Sequence, residues 1–211
     1  METIDLRKQM KDLWNPPAGK VVLVTVPAMP YLMIEGVGNP NTSKAFQEAI
    51  QALYSAAYTM KFAAKFGGVA DWKVTPLEAL WWDPSGRDIF DAGYATMPTE
   101  MAWKALLMQP VVVTANMLEQ AKLEAVRKKK DIPALAKVRL ETWAEGLCVQ
   151  TMHVGPYAAE HVTIETMHTW MAANGYRGRG RHHELYLSDP NRTAPEKLKT
   201  ILRLPVEKPK G

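Results

Sequence analysis

Between residues 44 and 66 the apolar side chains Phe46, Ile50, Leu53, Ala57, Met60 and Ala64 recur at helical spacing, with Gln47, Gln51, Ser55 and Lys61 between them. This spacing predicts one long amphipathic helix. The preceding NPNTS (39–43) supplies turn and N-cap residues, and Gly67-Gly68 ends the pattern. Upstream, VVLVTVPAMPYLMIEGVG (21–38) reads as two short strands broken at Pro27 and Pro30. Downstream come the strand pattern PLEALWW (76–82), an irregular polar stretch (83–100) and the strand pattern AWKALLMQP (102–110).

A charged helix, TANMLEQAKLEAVRKKK (114–130), then leads into a second run with the same plan. KVRLETWAEGLCVQTMHVG (137–155) predicts a hairpin turning at Glu145-Gly146. PYAAEHVTIETMHTWMAANG (156–175) predicts a helix with Gly175 just past its end. HHELYLS (182–188) and KTILRLPV (199–206) are strand patterns, separated by the short helical APEKL. Three matches occur in the same order in both runs. Pro30-Tyr31 corresponds to Pro156-Tyr157, Glu78 with Asp83-Pro84 to Glu184 with Asp189-Pro190, and KALLMQPV to KTILRLPV. The expectation is an α+β fold of two duplicated strand–helix modules, about residues 21–110 and 138–206, related by pseudo-twofold symmetry.

Composition narrows the function classes. With 47% hydrophobic and 23% charged residues in 211, the chain suits a globular domain with a sizeable core. Its longest apolar runs fall far short of the ~20 residues that span a bilayer, and the N-terminus lacks a signal-peptide apolar region. A single cysteine, Cys148, excludes an internal disulfide and makes a reducing cytoplasm the natural compartment. The net charge of +4 comes largely from RKKK (127–130), RGRGR (177–181) and the C-terminal EKPK. Such runs are ordinary solvated surface, and with no zinc-finger spacing or glycine-rich phosphate loop, neither nucleic acid nor membrane is an expected partner.

The stretches MIEGVGNPNTSKAFQEAIQALYSAAYTMKF (33–62), MHVGPYAAE (152–160) and HHELYLSDPNRTAPEKLKTILRLPV (182–206) resemble the GyrI-like small-molecule-binding family, and the resemblance runs from Val21 to Val206. It implies a ligand groove between the two halves, on the pseudodyad. Regulators in that family carry a separate DNA-binding domain. Only about twenty residues precede Val21, too few for one, so the expectation is a stand-alone domain over 21–211 behind an N-terminal extension, 1–20. The resemblance further implies binding of xenobiotics, and in some members hydrolysis of the strained cyclopropane of DNA-alkylating natural products. The gyrase-inhibiting members are a second possibility, against which the excess of Lys and Arg argues.

Period-2 alternation puts Glu184 on one strand face with His182, Tyr186 and Ser188, and Glu78 with Leu80 and Trp82. If the modules are equivalent, both glutamates face the groove. A poorly hydrated carboxylate there can pair with a cationic ligand or accept a proton from water. A strand glutamate can equally serve to bond a neighbouring tyrosine or arginine. The expected site is therefore an aromatic cage around Glu184 as water-activating base. Tyr157 is the second catalytic candidate, and Glu78, Trp82, Tyr94, Trp103, Trp143 and Tyr186 are ligand contacts. No cofactor or metal is expected: His161, Glu165, His168, His182 and Glu184 do not add up to a ligand set.

Overall fold

The Ser43 Oγ accepts a hydrogen bond from the Phe46 amide at 3.2 Å and starts helix α3, Lys44–Phe66. Its buried face contains Ala49, Ala52, Ala56 and Ala57, which let the helix lie close to the strands beneath it. A computed structural model describes residues 2–39, 42–85, 100–128 and 130–209. The remaining elements are β1 (Thr3–Ile4), α1 (Leu6–Gln9), α2 (Lys11–Trp14), β2 (Val22–Val26), β3 (Met29–Gly38), β4 (Asp71–Trp72), β5 (Glu78–Trp82), β6 (Met101–Met108), α4 (Ala115–Arg127), β7 (Arg139–Trp143), β8 (Gly146–Val154), α5 (Glu160–Ala173), β9 (Arg177–Gly178), β10 (His182–Tyr186) and β11 (Lys199–Glu207). The protein is thus α+β, and among the described residues no helix is long and apolar enough to cross a membrane.

Antiparallel pairing gives one large sheet in the order β2-β8-β11-β10-β5-β6-β3-β7, with β9 on β11 off that path. Its centre is the β5–β10 pair, flanked by β6 and β3 on one side and by β11 and β8 on the other. KALLMQPV and KTILRLPV cover β6 and β11, one place out from the centre on either side. The expected hairpin after Lys137 does not form. β7 pairs with β3 and β8 pairs with β2 and β11, so the two lie toward opposite ends of the strand order. Yet only Ala144 and Glu145 join them, and only Pro27 and Ala28 join β2 to β3. Two residues span about 10 Å at most, so the sheet must curl until its ends meet.

The curled interior buries Tyr31, Met33, Leu80, Leu106, Cys148, Leu185 and Ile201, together with Leu6, Leu13 and Trp14 from the N-terminal segment. Leu6, Leu13 and Trp14 thus tie the N-terminal segment, read from sequence as an extension, to the core. The outer face carries both long helices. α3 packs over β3 and β6, with Phe46 at 5.0 Å from both Trp81 and Trp103. Gly36 is required there because a Cβ would collide with the Trp103 ring. α5 sets Ile164, Met167 and Met171 against Val149, Leu202 and Leu204.

Four charged side chains lie inside the curl. His183 sits 3.2 Å from Glu78 and 3.0 Å from Glu145, and Arg203 lies 3.5 Å from Glu145. Arg203 also donates to Gln150 at 3.0 Å and to the Leu13 carbonyl at 2.8 Å, tying α2 to the sheet. Burial alone would lower the pKa of His183, but the Glu145 and Glu78 carboxylates override it and raise it to about 9. Burial likewise opposes ionisation of Glu145, and His183 and Arg203 outweigh it, leaving that carboxyl below its usual value. Two anions and two cations thus balance. Arg203→Ala removes one cation and leaves Glu145 under-compensated, so it should destabilise the fold by about 3–5 kcal/mol. Urea unfolding of the two proteins checks this, and a loss below 1 kcal/mol would show the network to be dispensable.

Candidate functional site

Paired residues in an antiparallel ladder share a face, and Glu184 pairs with Ala79 and Leu202. Its side chain therefore rises from the outer face, over the small Ala79, into the gap between α3 and α5. His182 and Tyr186 follow on the same face. The gap is a cavity of about 930 Å³, walled by Phe46, Ile50 and Tyr54 of α3, by Tyr157, Glu160 and Ile164 at the start of α5, and by Trp81 on β5. Arg7 of α1 and the loop Leu187–Asn191 also line it.

Hydrogen bonds fix the Glu184 carboxyl from both sides. The Tyr186 hydroxyl donates to Oε2 at 2.6 Å, and His182 Nε2 lies 3.1 Å from Oε1. Tyr186 in turn accepts from Trp81 Nε1 at 3.0 Å, and its ring meets the Tyr157 ring edge-on at 5.8 Å. The Glu184 side chain is 15% exposed, so water can reach it while bulk hydration is largely excluded. Burial, reinforced by the Glu184 charge, holds the Tyr186 phenol well above its ordinary pKa. Tyr157 is shifted the same way, by burial first and then by Glu160 and Glu184. Both remain phenols and hydrogen-bond donors at neutral pH.

Of the residues singled out from sequence, Glu184, Tyr186 and Tyr157 line this cavity, and four others do not. Glu78 pairs with Leu185, so it points into the curl and joins the buried ion network, 0% exposed. The match of Glu78 to Glu184 is out of phase by one residue. In a strand, one residue reverses the face. Trp82 shares the inner face, with the Arg181 guanidinium 3.5 Å above its ring. Trp143 packs there too, against Tyr31 and His183. Trp103 is on the outer face, but under Phe46 and α3 and 1% exposed, so it belongs to the core. Tyr94 lies outside the described residues. Pro30-Tyr31 and Pro156-Tyr157 are not equivalent either, because the first begins β3 and the second follows β8.

Sequence reasoning passed over Trp81 and Glu160. Trp81 is Trp82's neighbour, and choosing between them needs the register of β5, which the sequence leaves open. Glu160 occupies the first turn of α5, where an acidic residue is ordinary helix chemistry. Here it is 6% exposed, and its Oε1 has no hydrogen-bond partner among the described residues. Burial and then repulsion from Glu184 raise its pKa to about 9, only partly offset by the Thr200 hydroxyl. Glu160 is thus held protonated beside Glu184. Among the described residues, no group of three metal-ligating side chains converges.

A second hollow, lined by α3 and α4, lies alongside. Tyr54, Tyr58, Phe62 and Phe66 form a ladder of near-parallel rings about 6 Å apart along α3, and Tyr54 and Tyr58 border both hollows.

With this fold and cavity in view, the comparisons with known proteins agree. The model of the GyrI-like small molecule binding domain matches residues 19–207, and the chain belongs to that family. Solved structures with the same fold include a hydrolase encoded by lin2189 from Listeria innocua. It is 39% identical over 98% of this chain and 100% of that one, with a TM-score of 0.83. Another structure described as a hydrolase from Listeria innocua is 40% identical over 97% of this chain and 100% of its own, TM-score 0.82. The EcmrR C-terminal domain, 13% identical over 90% of this chain and 98% of its own, shares the fold at a TM-score of 0.54. No curated protein sequence matches the chain significantly.

The raised pKa of Glu160 has a stability consequence. The folded state keeps a proton that the unfolded chain releases near 4.5, so stability present at low pH is lost as pH rises toward about 9. Glu160→Gln should therefore raise the melting temperature, by little at pH 5 and increasingly toward pH 8, a gain of order 1–3 kcal/mol at the upper end. Melting curves at the two pH values test this; an equal shift at both would remove the buried proton from the account.

Proposed function

We propose that the protein hydrolyses planar, electrophilic organic compounds, the cyclopropane-bearing DNA-alkylating class among them, with Glu184 as the base that activates water. The observation that carries this reading is the Glu184 carboxyl itself, clamped by Tyr186 and His182 on an aromatic-walled floor and open to the cavity. Each oxygen has one donor, which leaves lone pairs for a water and fixes the direction in which it is held. Tyr186 and His182 orient the base much as a base is oriented in other hydrolytic sites. The faces of Trp81, Phe46 and Tyr54 suit a flat ligand, and Tyr157 can donate to a ligand oxygen as charge develops on it. The Listeria relatives described as hydrolases, close in sequence and matched over nearly their full length, support the same direction.

Glu184→Gln separates catalysis from binding. It keeps the volume but cannot accept water's proton, so turnover of a spirocyclopropyl cyclohexadienone should fall about 10²–10⁴-fold. Affinity for the neutral probe should change little, and the fold should persist. Addition of one water, followed by mass spectrometry, and thermal shift on the same samples give both quantities. A Gln variant with full turnover would end the assignment of Glu184 as base. Wild-type protein that binds the probe without adding water would make it a sequestering protein.

The cavity wall yields a second expectation. Trp81→Ala should weaken binding of a planar ligand by roughly 1–3 kcal/mol, the scale of a lost aromatic anchor. It also frees the Tyr186 hydroxyl from its donor. Titration calorimetry measures the loss, and unchanged affinity in a folded variant would place the ligand elsewhere in the cavity.

A further inference from the structure

We propose that Glu160 is a second catalytic residue, the acid that protonates the departing side of the substrate while Glu184 takes the proton of water. The inference rests on the hydrolytic reading above and assigns its other half. The two carboxyl groups reach the same cavity from different elements, Glu184 from the sheet floor and Glu160 from the first turn of α5. Their surroundings are unlike. Both oxygens of Glu184 are engaged by donors, which suits a carboxylate. Glu160 is almost wholly buried, with Oε1 unengaged by any group among the described residues. An unengaged, buried carboxyl oxygen beside a second carboxylate is costly unless it carries a proton or meets a ligand.

The charges around Glu160 favour the protonated form. The cavity it lines is shared with Tyr157 and His161 from the neighbouring turns, with His182, Glu184 and Tyr186 of β10, and with Asp189 of the following loop. Tyr54 and Tyr58 of α3 and Arg7 of α1 complete the titratable wall among the described residues. His153 of β8 is engaged by the Thr163 hydroxyl and the Pro156 carbonyl. Among the described residues no cation is paired with Glu160, and the group whose charge acts on it most strongly is Glu184.

The step balances without a co-reactant beyond water. The water oxygen bonds to the electrophilic ring carbon as Glu184 accepts its proton. The ring C–C bond breaks, and its electron pair moves through the conjugated system to the carbonyl oxygen. That oxygen takes the proton of Glu160 and becomes the phenol of the ring-opened product, which keeps every atom of substrate and water. The proton held on Glu184 then returns, through solvent or along the cavity, to Glu160. The substrates implied are those whose opening places negative charge on a basic oxygen, where an acid contributes most.

The experiment compares wild-type protein, Glu160→Gln and Glu160→Asp on two probes, a spirocyclopropyl cyclohexadienone and its nitrile-substituted, electron-poor analogue. Glu160→Gln should lose about 10²–10⁴-fold in kcat on the parent and far less on the analogue, whose phenolate needs no acid. Wild-type kcat should fall as pH rises through about 9, and that limb should be absent in Glu160→Gln. Glu160→Asp, which retains an acid, should recover part of the rate. Equal losses on both probes, or none, with Glu184→Gln inactive, would overturn the role of Glu160 and leave the hydrolytic reading standing. Absence of turnover of either probe by wild-type protein would overturn both.

Discussion

Strand β10 separates two charge systems, and its pairing with β5 and β11 holds them apart. Because Glu184 is opposite Ala79 and Leu202, the odd-numbered neighbours His183 and Leu185 must face the other way. A carboxyl open to a ligand cavity and an imidazolium locked into a buried ion network are adjacent residues on one strand. Neither could take the other's place without a register slip, and the three-fold tie of β10 (to β5, to β11 and through Tyr186 to Trp81) makes such a slip expensive. Everything proposed for the cavity depends on that phase.

The inner network holds the floor still. His183, Glu78, Glu145 and Arg203 place four charges where water does not reach, and desolvation of each is offset only by its neighbours. Such an arrangement is a weak source of net stability but tolerates few alternative packings. It also draws in the N-terminal segment, since Arg203 and Gln150 satisfy carbonyls of α2. Above the sheet the balance is reversed. Glu160 and Glu184 share one cavity, and the protein accommodates both carboxyl groups by keeping Glu160 protonated. A strained pair over a compensated base is the pattern expected where stability is given up locally for chemistry.

How much of this was legible beforehand follows from what each signal encodes. The α3 periodicity, its Ser43 cap and the strand patterns were local and correctly placed the outer helix and the central strands. Glu184 with Tyr186 on one face needed only alternation within a single strand. Glu78 needed the register between two strands, a long-range property absent from either segment, and the similarity of LEALWWDP to HELYLSDP invited an in-phase reading. The tryptophans failed for a related reason: composition says that seven must be packed but not on which face. The β7–β8 hairpin was inferred from a short turn, yet a tightly curled sheet permits the same two-residue link between strands that never pair.

That curl also bears on how the chain can acquire its structure. β2, near the start, finds its partner only when β8 exists, and β7 of the second run lies along β3 of the first. Each half thus hands a strand to the other. Neither half has its own complete sheet, so partial products of synthesis or proteolysis between α4 and β7 would expose unpaired edges at β3 and β8. Folding must wait for pairings separated by well over a hundred residues, the kind of topology that folds slowly and relies on protection while it does. The interlock that closes the mature sheet at both ends is the same feature that leaves the unfinished chain with open strand edges.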